Sequence, residues 1–91
     1  MAGIDVHRML HVVTVLIEQP DGSMQRQTRQ FGGFRRDCRE LAAWLAELRI
    51  ELVVLESTGI YWKSVYAHLE NAGVAAWVVN AHRVKHVPGR K

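Results

Sequence analysis

Ile50-Glu51-Leu52-Val53-Val54-Leu55-Glu56 is followed by Ser57-Thr58-Gly59 and then by Ile60-Tyr61-Trp62. The first seven residues are apolar and β-branched enough to predict a fully buried strand, as in a parallel sheet. The strand ends on a carboxylate. Small and hydroxyl-bearing residues come next, and then a helical spacing begins. In open α/β sheets, ligands and metals bind off the carboxyl ends of the strands, so Glu56 stands where chemistry collects. Taken alone, a solvated glutamate at a strand end is the plainer reading. Asp5, at the end of another apolar strand, makes the sharper reading worth following.

Downstream, Trp62, Val65, Tyr66, Leu69 and Ala72 recur at steps of three and four, which predicts a helix over 61–72. Ser57 or Thr58 is the expected cap of its start and Gly73 of its end. Val74 to Val79 is a further apolar strand, closed by Asn80. Upstream, Cys38, Leu41, Ala42, Leu45 and Leu48 form the stripe of a helix expected over 37–50, with Trp44 on its flank. Cys38 lies on that stripe and reads as a small core residue, with nothing nearby to activate its thiol.

The N-terminal third has a different period. Gly3 to His7 and His11 to Glu18 are expected strands, bent apart at Arg8-Met9-Leu10. Pro20-Asp21-Gly22-Ser23 is a turn, because proline presets φ and glycine accepts a positive one. Met24 to Phe31 is polar enough for an exposed edge strand, and Gly32-Gly33 ends it. The order is β-β-β-α-β-α-β. A three-strand meander followed by alternating helices and parallel strands is the pattern of the ribonuclease H-like fold. It is an α/β fold with a mixed five-stranded sheet of order 3-2-1-4-5. In that order Asp5 and Glu56 sit on neighbouring strands, about 4.8 Å apart. Two carboxylates that close repel unless a cation lies between them. Hard oxygen donors suit Mg²⁺ or Mn²⁺, and two such ions would clamp both oxygens of a phosphodiester exchange.

Composition limits the alternatives. With 91 residues the chain is one small domain, and a hydrophobic fraction of 48% argues against disorder. No stretch is apolar enough to span a membrane, and the N-terminus lacks signal-peptide features. A single cysteine makes no internal disulfide, which fits a reducing cytoplasm. The net charge of +3 is modest, but its distribution is uneven. Arg83, Lys85, Arg90 and Lys91 follow Ala81 with no acid among them, and Arg26, Arg29, Arg35, Arg36 and Arg39 face only Asp37. Such stretches could follow a phosphate backbone, although most charge runs are solvated surface.

Three segments together resemble the N-terminal domain of DEDD transposases: Gly3-Ile4-Asp5-Val6-His7, Glu56-Ser57-Thr58-Gly59-Ile60-Tyr61-Trp62, and Asn80-Ala81-His82-Arg83-Val84-Lys85-His86-Val87-Pro88-Gly89-Arg90-Lys91. This insertion-sequence family includes the pilin-gene inverting recombinase and the bridge-RNA-guided recombinases. Its domain resembles the RuvC Holliday-junction resolvase. The resemblance implies that Asp5 and Glu56 are catalytic and bind Mg²⁺ or Mn²⁺. It also implies a DNA partner, in some members a guide RNA, and a homo-oligomeric full-length enzyme. Ser57 stands where the family more often has alanine. The third and fourth carboxylates of the family would follow the Gly-Arg-Lys segment, and a catalytic serine lies in a further domain. The chain therefore reads as an N-terminal piece, with residues 1–81 as the domain and 82–91 as a basic tail that contacts nucleic acid through Arg83, Lys85, Arg90 and Lys91.

A non-catalytic DNA- or RNA-binding module is the alternative. Tyr61 or Trp62 would offer a stacking face, although core packing is the commoner fate of a tryptophan. An actin-like ATPase also opens on Gly-Ile-Asp but needs glycine and a hydroxyl soon after the aspartate, where Val6-His7-Arg8-Met9 stand here. His82 and His86 lack the partners of a zinc site. His7 and His11 read as strand residues, with His7 close enough to Asp5 to touch a substrate phosphate.

Overall fold

A computed structural model describes residues 1–57 and 59–80. Its elements run β1 (Ala2–Val6), β2 (Leu10–Glu18), β3 (Met24–Gly32), α1 (Arg35–Glu47), β4 (Leu52–Ser57), α2 (Trp62–Asn71) and β5 (Ala75–Asn80). The sheet order is β3-β2-β1-β4-β5, as the sequence predicts. The first three strands pair antiparallel, and β4 pairs parallel with both β1 and β5. The expected basic tail, with Arg83, Lys85, Arg90 and Lys91, lies outside the described residues.

Both crossovers, β3 to β4 and β4 to β5, step the same way across the sheet. Right-handed connections then put both helices on one face. Burial follows this rule. Ile4, Val6, Val13, Val15, Val53 and Leu55 point at Cys38, Leu41, Leu45, Val65 and Leu69, and all are buried. The intervening residues Gly3, Asp5, Val12, Thr14, Val54 and Glu56 face the other way, and each is half-buried or exposed. No described helix covers that face. This corrects the reading of Ile50–Glu56 as a fully buried strand: Val53 and Leu55 are buried, Val54 is half-buried and Glu56 is exposed. The apolar run comes from a strand lined on one side by helices, not on two.

The helix boundaries also differ from expectation. Asp37 does not begin α1 but sits two residues inside it, where its Oδ2 accepts the N–H of Phe34 at 3.1 Å. A carboxylate in the first turn satisfies an orphan donor and complements the helix dipole. Ser57 does not cap α2, which starts after Tyr61 with no side-chain cap, and Thr58 lies outside the described residues. Ser57 is still in β4, and its Oγ accepts the Gly59 N–H and donates to the Gly59 carbonyl, each at 3.3 Å. The hydroxyl holds the turn after the strand instead of the helix. Ala72, placed on the α2 stripe, is exposed at the helix end. Gly73 closes α2 as expected, at φ 79°.

Gly33 has a specific job. A Cβ there would lie 2.5 Å from the Arg8 carbonyl oxygen and 2.8 Å from the Met9 Cα. Backbone therefore packs on backbone, and the start of α1 is seated against the β1–β2 turn.

At the end of α1, Ile50 N–H bonds to the Leu45 carbonyl and Arg49 N–H to the Ala46 carbonyl, a Schellman closure. The left-handed residue is Arg49, at φ 57°. A side chain in that conformation costs about 1–2 kcal/mol, partly offset by the lower entropy loss of a non-glycine residue. Arg49→Gly should therefore raise the unfolding free energy by about 0.5–1 kcal/mol, read as a higher urea midpoint at unchanged slope. An unchanged or lower midpoint would mean that the Arg49 side chain stabilises the fold in some other way.

Candidate active site

The register of β1 on β4 pairs Asp5 with Glu56. Both residues belong to the parity that points away from the helices, and both are exposed. Parallel neighbours lie about 4.8 Å apart, so the two carboxylates rise side by side from adjacent backbones. Gly3, two residues before Asp5, presents no side chain. With Val12, Thr14 and Val54 it floors a shallow hollow of about 330 Å³ whose rim carries Asp5 and Glu56.

His7 follows β1 and shares the parity of Asp5. Its Nε2 lies 3.2 Å from Asp5 Oδ2, with the two side chains 58% and 57% exposed. It is therefore close to Asp5, as the sequence suggests. The contact ties down one oxygen of Asp5 without burying it.

The donor set is two hard carboxylates on a solvent-open face, with one imidazole behind Asp5. Its chemistry fits a divalent cation of the Mg²⁺ or Mn²⁺ kind, which takes one or two protein carboxylates and keeps several waters. Among the described residues, no group of three or more acids, histidines or cysteines converges into a fuller cage. Asp5 and Glu56 are brought together. Arg83, Lys85, Arg90 and Lys91 are outside the described residues.

Sequence reasoning missed a polar trio on the helical side, in which His11 and Cys38 are buried and Ser64 is exposed. His11 is 2% exposed, with its Nε2 3.9 Å from Cys38 Sγ, and the Ser64 hydroxyl donates to the same sulfur at 3.8 Å. His11 Nδ1 is buried with no partner among the described residues. Burial pushes the Cys38 thiol pKa up despite the Ser64 hydrogen bond. Burial, with His7 adding to it, pushes the His11 pKa down against the opposing pull of Asp37. A thiol and a neutral imidazole result, with no thiolate–imidazolium pair to act as a nucleophile. No local pattern announces this trio, because its members come from β2, α1 and α2.

Trp62 is half-buried and packs against the core, edge-on to Tyr66 with ring centroids 6.0 Å apart. That contact gives it a packing role, while Tyr61 beside it is exposed.

A family model described as a transposase, of the DEDD type of IS110 elements, matches residues 2–91. No curated protein matches the sequence. Among solved structures, Thermus thermophilus RuvC superposes with a TM-score of 0.65 at 15% sequence identity, covering 94% of this chain and 68% of that one. Identity that low speaks to the fold alone, and the fold is ribonuclease H-like.

Proposed function

The chain belongs to the DEDD transposase family, and from that premise we propose that it is the nuclease-like domain of a DNA transposase. In this reading Asp5 and Glu56 hold a divalent cation against the DNA phosphodiester that is cut and rejoined. The observation that carries it is the β1–β4 register, which pairs the two carboxylates on the uncovered face of the sheet. The family supplies the substrate class and the geometry supplies the acids.

Each residue then has a task. Asp5 and Glu56 offer adjacent oxygens at the ends of two parallel strands. His7 restrains Asp5 through Oδ2, leaving Oδ1 for a ligand. Gly3 keeps the floor of the hollow low, so that a sugar-phosphate chain can approach the acids from the open face. Mg²⁺ or Mn²⁺, when bound, supplies charge stabilisation at the phosphodiester and a more acidic bound water. Arg83, Lys85, Arg90 and Lys91 are proposed DNA contacts on charge and sequence position alone. Residues 1–81 are proposed as the domain and 82–91 as its basic continuation, while a guide RNA and assembly into oligomers are extensions drawn from the family.

Two carboxylates make an incomplete cage for two ions. Residues 1–91 are therefore expected to bind Mn²⁺ weakly and not to cut DNA by themselves. The test is a Mn²⁺ titration of the isotope-labelled chain followed by NMR, beside Asp5→Ala and Glu56→Ala. Amide signals around both acids should broaden in the parent, and each variant should lose the broadening at both positions. If neither acid responds, the pair does not capture metal. Robust Mg²⁺-dependent cleavage by the purified chain, lost in Asp5→Ala, would overturn the claim that two acids are too few.

A further inference from the structure

We propose that Arg8, Arg35, Arg36 and Arg39 form a basic rim that holds the backbone of duplex DNA at the end of the molecule that carries the acidic pair. This rests on the reading of the substrate as DNA and adds a surface which that reading does not contain.

The topology puts the rim on the same end of the molecule as the acids, with the α1 arginines on the helical side of the sheet and the acids on its uncovered side. Strands β1 and β3 both run antiparallel to β2, so they point the same way, and β4 runs parallel to β1. Asp5 and Glu56 lie near the carboxyl ends of β1 and β4. The start of α1 follows the carboxyl end of β3, and the turn carrying Arg8 follows the carboxyl end of β1. Gly33 presses against the Arg8 carbonyl, so these two segments are joined there and not merely on the same side.

All four arginines are exposed. Among the described residues, the single ion pair is His7 with Asp5, so no described carboxylate neutralises any of the four. Glu40 lies one helical turn beyond Arg36 and does not pair with it. Asp37, next to Arg36 in sequence, is engaged by the Phe34 N–H. Arg35, Arg36 and Arg39 also sit where the helix dipole disfavours them, in the first turns of α1, a position that selects for acids when stability alone matters.

Arg29 provides the contrast. Its guanidinium lies 4.6 Å from the Phe31 ring centre and 4.7 Å from that of Trp44, so it serves packing on the helical side. Arg36 lies 5.9 Å over the exposed Phe34 ring, a contact made at the surface. Planar, permanently charged guanidiniums match phosphate oxygens in pairs. The acids themselves repel a polyanion, so a flanking cationic surface supplies the attraction that they cannot. Duplex DNA carries phosphates on both sides of its axis, so one strand can meet the acids while the other meets the arginines.

The experiment measures binding of the 91-residue chain to a short DNA duplex as salt is varied. It is run beside R35A/R36A/R39A, R35K/R36K/R39K and D5N/E56Q. Each phosphate contact contributes roughly 0.9 to the slope of log affinity against log salt. The alanine variant should lose about two to three units of slope and melt no lower than the parent, because the one described contact it removes is the solvent-exposed Arg36–Phe34 pair and it relieves the dipole. The lysine variant should keep the slope. D5N/E56Q should bind as well as the parent or better. An unchanged slope in the alanine variant, or no recovery with lysine, would overturn the rim while leaving the acidic pair to its own metal titration. Binding of an RNA hairpin in place of the duplex, or of neither, would overturn it too.

Discussion

Leu55→Ala should lower the unfolding free energy by about 3 kcal/mol, seen as a fall in the urea midpoint at unchanged slope. Leu55 is fully buried in β4, registered between Ile4 of β1 and Val78 of β5, directly beneath the strand segment that presents Glu56. Removing its branched end forfeits roughly 0.8 kcal/mol per buried methylene-sized group and leaves a cavity that the flanking strands cannot close. A domain of this size holds roughly 5–14 kcal/mol in all, so the variant should lose a large share of its stability. Val54→Ala, one residue away on the uncovered face, should cost less than about 1 kcal/mol, because Val54 is half-buried to begin with. The ratio of the two costs measures how one-sided the sheet is. Equal costs would mean that the face carrying Asp5 and Glu56 is covered in solution.

That one-sidedness is also where reading from the sequence falls short. The element order, the strand order and the pairing of Asp5 with Glu56 were all legible, because each follows from short-range signals. Those signals are β-branched runs, a Pro-Asp-Gly turn and two helical stripes, combined with the rule that parallel strands need crossovers. Ile50–Glu56 reads as buried on both sides because its composition is apolar on both parities. Only the direction of the two crossovers shows that one parity is left open. Boundaries slipped for chemical reasons. Asp37 marks a helix start in composition yet acts from inside the first turn, and Ser57 carries a capping hydroxyl that closes the β4 turn instead. The end of α1 carries no glycine signal, since Arg49 takes the left-handed position. His11, Cys38 and Ser64 meet only in three dimensions, 26 and 27 residues apart in the chain.

Glu56→Gln should raise the melting temperature of the metal-free chain and lower it, relative to the parent, once Mn²⁺ is present. Glu56 and Asp5 are registered like charges, which destabilise a strand pair by roughly 0.5 kcal/mol before solvent screening reduces it at this exposed site. Neutralising Glu56 removes that repulsion without touching the His7 contact, which belongs to Asp5. In a domain of this length the gain amounts to at most about 2–4 °C at low salt. The metal reverses the order. An ion that binds only the folded chain stabilises it by about 1.4 kcal/mol at ten times its dissociation constant, or roughly 6–10 °C. That increment needs both carboxylates, so the parent should gain it and Glu56→Gln should gain little. Chelator should return both chains to their first order. Two acids that merely decorated a strand end would give the first effect without the second. If the variant gains as much from Mn²⁺ as the parent, the ion binds somewhere other than the β1–β4 pair, and the acids lose their role in the proposed chemistry. A crossing of the melting curves would instead show a repulsion kept in the fold because a cation relieves it.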